Sequence, residues 1–66
     1  MIIRINGQEV EIERDLNLLE LVLSKKLPAE SVVLEHNLCI VPKDEWENVP
    51  LRENDHIEIV SFVGGG

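Results

Sequence analysis

Apolar and polar residues alternate along MIIRI, which puts Met1, Ile3 and Ile5 on one side and Ile2 and Arg4 on the other. A period of two is the pattern of a strand with one buried face. Asn6-Gly7 follows, the dipeptide that most readily takes positive φ at both central positions of a tight turn. QEVEIE then alternates again, with Val10 and Ile12 inward and Glu9, Glu11 and Glu13 toward water. The pattern predicts a β-hairpin with one buried side.

The period changes in DLNLLELVLSKKLP, which reads as a helix. Asn17 can cap the first turn and Glu20 can reach back to it, a capping box, with Leu16 and Leu21 as the matching hydrophobic staple. Leu19, Val22 and Leu23 are the expected apolar stripe, with the stem of Lys26 beside it. Lys25 and Lys26 suit the negative end of the helix dipole. Pro28 ends the helix. SVVLEH then returns to a strand, with Val32 and Leu34 inward and Val33 and Glu35 outward. His36 falls inward and reads as structural, because no second ligand or nucleophile lies near it in sequence. Asn37-Leu38 makes a turn, CIV a short strand, and Pro42 opens PKDEW as one helical or 3₁₀ turn. VPLRENDH is a loop into a last strand, HIEIVSF, with Ile57 and Ile59 facing the core.

A hairpin, one helix and further strands give an α+β fold of the β-grasp type, a mixed sheet of four or five strands packed on one main helix. The expected division is a domain over residues 1–62 and a flexible glycine tail over 63–66. The sheet face away from the helix would be open and carry Ile2, Val33, Val60 and Phe62, with Val63 next to them. Several apolar residues on one open face suggest a docking surface for a partner.

Composition narrows the function. A chain of 66 residues has a small core and little room for a deep catalytic pocket. Trp46 and Phe62 are the only aromatics, so the core is expected to be Ile, Val and Leu. The net charge of −7 disfavours nucleic acid and anionic membranes; it suits a basic protein surface, or serves only to keep a small protein soluble. One cysteine forms no internal disulfide, and Cys39 with two separated histidines makes no metal cluster. Cys39 reads as a small hydrophobe in its short strand. With no leader pattern and no membrane-length apolar run, the expectation is a cytoplasmic protein, monomeric when free. No Ser/His/Asp, Cys/His or paired-carboxylate arrangement can be argued from spacing. The end, SFVGGG, has two readings on its residues alone: an idle end, or a working terminal carboxylate.

A β-grasp pattern ending in Gly-Gly resembles ubiquitin and its relatives, and among them the chain is most similar to the ThiS family of thiamine-biosynthesis sulfur carriers. IIRINGQEVEI, LNLLELVLSKKL, VVLEHNLCIVPKDEW and LRENDHIEIVSFVGGG carry the resemblance, VPKDEW and VGGG most specifically. Leu38 stands where the family often has a small residue, and Asn54 where glycine is more usual. The resemblance implies a carrier and not an enzyme. An adenylating enzyme (ThiF-like) uses ATP and magnesium to form an acyl-adenylate on Gly66. A sulfur donor such as a cysteine desulfurase then displaces AMP. The thiocarboxylate passes its sulfur to thiazole synthase (ThiG-like). No cofactor would be bound by this chain. A similar tail occurs in the small subunit of molybdopterin synthase, which usually shows proline where this chain has SFV, and in ubiquitin-like modifiers joined to lysines.

The residues suit that cycle. A terminal carboxylate has a pKa of about 3.3–3.7, so it is ionised near neutral pH and needs activation to become an electrophile. Gly64, Gly65 and Gly66 have no side chains to block a narrow channel. From Val63 the segment reaches about 13 Å when extended. Ordering it costs about 1–2 kcal/mol per residue, so a docking face must supply affinity. Val60 and Phe62 are the leading candidates there.

Overall fold

The first hairpin pairs β1 (Ile2–Ile5) with β2 (Gln8–Glu11), with Ile5 opposite Gln8 across the two-residue turn. Asn6 and Gly7 take φ of 51° and 81°, both left-handed as this turn requires. The coordinates are a computed structural model, which describes residues 1–13 and 15–62. The chain continues through α1 (Leu18–Ser24), a 3₁₀ turn at Ala29–Ser31, β3 (Val32–His36), β4 (Cys39–Ile40), a 3₁₀ helix at Lys43–Asn48 and β5 (His56–Ser61). The five strands form one sheet in the order β2-β1-β5-β3-β4, with β1 and β5 parallel and the other neighbours antiparallel.

Asn6 does more than turn the chain. Its side-chain amide donates to the Ile59 carbonyl at 3.2 Å, and its Oδ1 accepts from the Ile59 N–H at 2.8 Å. The hairpin turn therefore extends the central parallel pairing beyond β1. Earlier in β1, Arg4 N–H donates to the Asp55 carbonyl at 2.8 Å, and at the strand's start the Ile2 carbonyl accepts from Asn54 N–H at 2.7 Å.

The helix begins as expected. Asn17 Oδ1 accepts from Glu20 N–H at 2.8 Å, and Glu20 Oε1 accepts from Asn17 N–H at 3.0 Å. The buried stripe is Leu18, Leu21 and Val22, whereas Leu19 is half-buried and Leu23 faces solvent. The expected stripe of Leu19, Val22 and Leu23 is thus rotated. The entry loop sets the rotation: Leu18 N–H donates to the Val49 carbonyl and Leu51 N–H to the Leu16 carbonyl, fixing the first turn against the 47–51 segment.

The core lies between the sheet and α1, with Ile3, Ile5, Val32, Leu34, Ile57 and Ile59 as the sheet's contribution. Its largest fully buried side chain is Trp46, which corrects the expectation of an all-aliphatic core. The 3₁₀ helix packs beside α1 and turns the indole inward. The buried indole N–H donates to the Val41 carbonyl at 2.8 Å, which removes the cost of desolvating it. Cys39 is exposed on the edge strand, not packed as a small hydrophobe. Among the described residues no helix is long and apolar enough to cross a membrane.

The β3–β4 turn contains a conformational conflict. Asn37 and Leu38 have φ of 51° and 76°, and Leu38 is 91% exposed. A left-handed non-glycine residue costs roughly 1–2 kcal/mol, and no burial of Leu38 offsets it. Leu38→Gly should therefore stabilise the fold by about 0.5–1 kcal/mol, after subtracting glycine's extra unfolded-state entropy. Urea denaturation would measure it; a loss of stability would mean the Leu38 side chain makes a contact that its exposure does not show.

Candidate functional site

The place where the chain leaves the sheet is fixed by β3 and β5. Val32 pairs with Ser61 and Val33 with Val60, and Phe62 N–H donates to the Ser31 carbonyl at 2.7 Å. β5 therefore stays tethered up to Phe62. Inward positions Ile57 and Ile59 are buried, while outward positions Glu58 and Val60 are exposed. Phe62, the next outward position, is also exposed. Val33, directly opposite Val60, is exposed at 37%. Three of the expected docking residues, Val33, Val60 and Phe62, thus gather at the point where the tail segment begins.

Ile2 is outward-facing and exposed as well, but the register sets it elsewhere. Arg4 faces His56 across the β1–β5 pair. Ile2 lies two positions to one side of that pair and Val60 four to the other, so they are about 20 Å apart along the strands. Ile2 sits instead beside Glu11, and its N–H donates to a Glu53 carboxylate oxygen at 3.0 Å. Ile40 was not singled out from the sequence. It pairs with Glu35, shares the outward face one row from Val33, and is 67% exposed. The two-residue Asn37-Leu38 turn is the signal that would have found it, since such a turn sets residue 40 opposite residue 35. Val63, Gly64, Gly65 and Gly66 lie outside the described residues.

The far end of the sheet is held by a polar cluster around one buried carboxylate. Asp55 is buried and accepts from His36 Nε2 at 2.9 Å, Asn37 Nδ2 at 3.1 Å and Arg52 N–H at 2.8 Å. Asn37 Oδ1 in turn accepts from His56 N–H at 2.8 Å. His36 therefore has a structural partner, which joins the β3–β4 turn to the loop before β5. Burial pushes the Asp55 carboxyl up, but the donors, His36 first, together outweigh it and hold the pKa below the ordinary 3.8.

A lowered folded pKa means that below pH 3.8 the unfolded chain takes up a proton at Asp55 which the folded chain resists. The contribution of Asp55 to stability is thus complete above that value and is lost as pH falls through the lower folded one. Asp55→Asn should lower stability at neutral pH by about 1–3 kcal/mol. It should also flatten the acid limb of the denaturation midpoint against pH. An acid limb of unchanged slope would contradict the assignment.

Among the described residues no three His, Cys, Asp or Glu side chains converge on a metal-sized site. A surface groove of about 570 Å³ is lined by Leu19, Lys43, Asp44 and Glu47, beside α1 and away from the Val60 face. What the described residues offer is an open apolar patch of Val33, Val60 and Phe62 at the end of β5.

The sequence model of the ThiS family matches residues 3–66. The sulfur carrier protein ThiS of Bacillus subtilis is 37% identical over 97% of this chain and 98% of its own length. A thiazole synthase of Paramagnetospirillum magneticum is 36% identical over 94% of this chain, a match that spans 19% of that protein. The crystal structure of the thiamine biosynthesis protein ThiS from Geobacter metallireducens superimposes with a TM-score of 0.84 at 28% identity, covering all of both chains.

Proposed function

The chain belongs to the ThiS family, matched through residue 66, and on that premise we propose that it is a sulfur carrier of thiamine biosynthesis which bears its cargo on Gly66. The observation that carries this reading is the extent of the match, which includes the glycine segment as well as the β-grasp body. In the proposed cycle, a Gly66 carboxylate oxygen attacks the α-phosphorus of magnesium-bound ATP on an adenylating partner. Pyrophosphate leaves, and a mixed anhydride with AMP remains. The terminal sulfur of a persulfide on a donor such as a cysteine desulfurase attacks the carbonyl carbon, and AMP departs with the bonding electrons. An external thiol then reduces the resulting acyl disulfide, which breaks the S–S bond, forms a disulfide with the donor thiol and leaves the thiocarboxylate. The catalytic groups for each step belong to partners, and the reading puts the cycle in the cytoplasm, where ATP is supplied.

A thiazole-synthase-like receiver is supported by the relative of that name, in which a stretch similar to this chain makes up about a fifth of the protein. There the carrier-like part and the rest of the protein share one polypeptide. Val33, Val60 and Phe62 would supply affinity while Gly64 and Gly65 carry the terminus inward. A strain lacking the gene tests the assignment. Growth restored by the thiazole moiety of thiamine supports it; a requirement for molybdenum cofactor instead would overturn it.

A further inference from the structure

The open face of the sheet has a second component beside its apolar patch. Glu35 and Glu58 are directly opposite each other on β3 and β5, and both point outward. Like charges in that position are destabilising. Among the described residues neither carboxylate has an ion-pair partner; the ion pairs are His36–Asp55 and Lys43–Glu30. Arg4 lies diagonally across from Glu58, next to His56, and makes no bridge to it. The rows of this face, from the chain's exit inward, are Phe62, then Val60 with Val33, then Glu58 with Glu35 and Ile40. A repulsive pair thus sits at the end of the exposed apolar patch, bordered by Val60 and Val33 on one side and Ile40 at the edge, with His56 and Arg4 on the other side.

We propose that this pair is the polar half of the docking surface, and that it receives a lysine or arginine side chain projecting from an apolar patch of the enzyme that acts on the tail. A single basic group between the two carboxylates would turn the repulsion into two charge-assisted contacts. The flanking aliphatic side chains would exclude water from them. The surface is continuous with the tail through Val60 and Phe62, so a partner seated here is positioned to take the glycine segment. A second copy of this chain is a poor occupant. It would bring its own Glu35 and Glu58 toward these, on a molecule whose net charge is −7. This inference rests on the carrier reading and adds the chemistry of the partner's face.

The test is calorimetric binding of the full chain to its host's adenylating enzyme and, separately, to its thiazole synthase, at low and raised salt. Glu35→Gln with Glu58→Gln should weaken binding about tenfold to at least one of them. It should also reduce the salt dependence of that binding. The same double variant should melt at a higher temperature than the parent, since the repulsion is gone, so weaker binding could not be blamed on unfolding. Glu58→Lys should weaken binding further. Val60→Ala keeps the two claims apart. If Val60→Ala weakens binding while the glutamine variant binds both enzymes as tightly as the parent, the acidic contact is wrong and the docking face stands. If neither variant changes binding, or the parent binds neither enzyme, the docking reading falls as well.

Discussion

Deleting Gly66 should abolish sulfur loading and leave the fold as stable as the parent. The two halves of this expectation have separate causes. Deletion moves the carboxylate back by one residue, about 3.3 Å, and adenylation requires the attacking oxygen in line with the α-phosphorus. A displacement of that size removes the reaction, not merely its rate optimum. The body is unaffected because its core ends with Ile59 and its last strand with Ser61. Gly65→Leu is a milder form of the same test. It keeps the terminus at its distance but adds a side chain to the segment that the proposed cycle takes into a partner's channel, and loading should fall on the order of 100-fold. Loading by the deletion variant at the parental rate would show that the reactive carboxylate is elsewhere.

The largest loss of stability is expected from Trp46→Ala, about 3–5 kcal/mol. Trp46 is fully buried, and its removal leaves a void in the core beside α1 that the short 3₁₀ helix cannot close by collapse. It also leaves the Val41 carbonyl without its indole donor. A domain of this length has a total stability of roughly 3–10 kcal/mol, so the variant should be largely unfolded or close to it at 37 °C. Trp46→Phe separates the causes. It keeps most of the volume and loses the hydrogen bond, at a cost of about 1–2 kcal/mol. Urea denaturation followed by circular dichroism measures both; a stable Trp46→Ala protein would contradict the packing described here.

The parts of the fold that follow local rules were legible in the sequence. Asn6-Gly7 specifies its turn by backbone chemistry alone, and Asn17 with Glu20 specifies a helix start within one turn. The helix interior was less legible for a physical reason. Leu18, Leu19, Leu21, Val22 and Leu23 surround most of its circumference, so periodicity does not single out a stripe, and contacts from the Val49–Leu51 segment choose it. Trp46 escaped because a short 3₁₀ helix has no amphipathic pattern to read. The Asp55 cluster joins residues far apart in sequence, and no local signal joins them. The open face shows a different limit. Alternation tells which side of a strand a residue faces, but not its position along the neighbouring strand. It therefore grouped Ile2 with Val60, which the parallel register separates, and passed over Ile40, which the β3–β4 turn brings in. The chemistry proposed for Gly66 comes from family resemblance alone, since glycines by themselves fit an idle end equally well.

The central claim is that Gly66 carries sulfur. The most direct measurement is the intact mass of the full chain after incubation with its host's adenylating enzyme, ATP, magnesium and sulfide. The account predicts exchange of one oxygen for one sulfur at the C-terminus, dependent on ATP and absent from the Gly66 deletion. An unchanged mass, from an enzyme preparation that loads another ThiS-family carrier and binds this one, would contradict it.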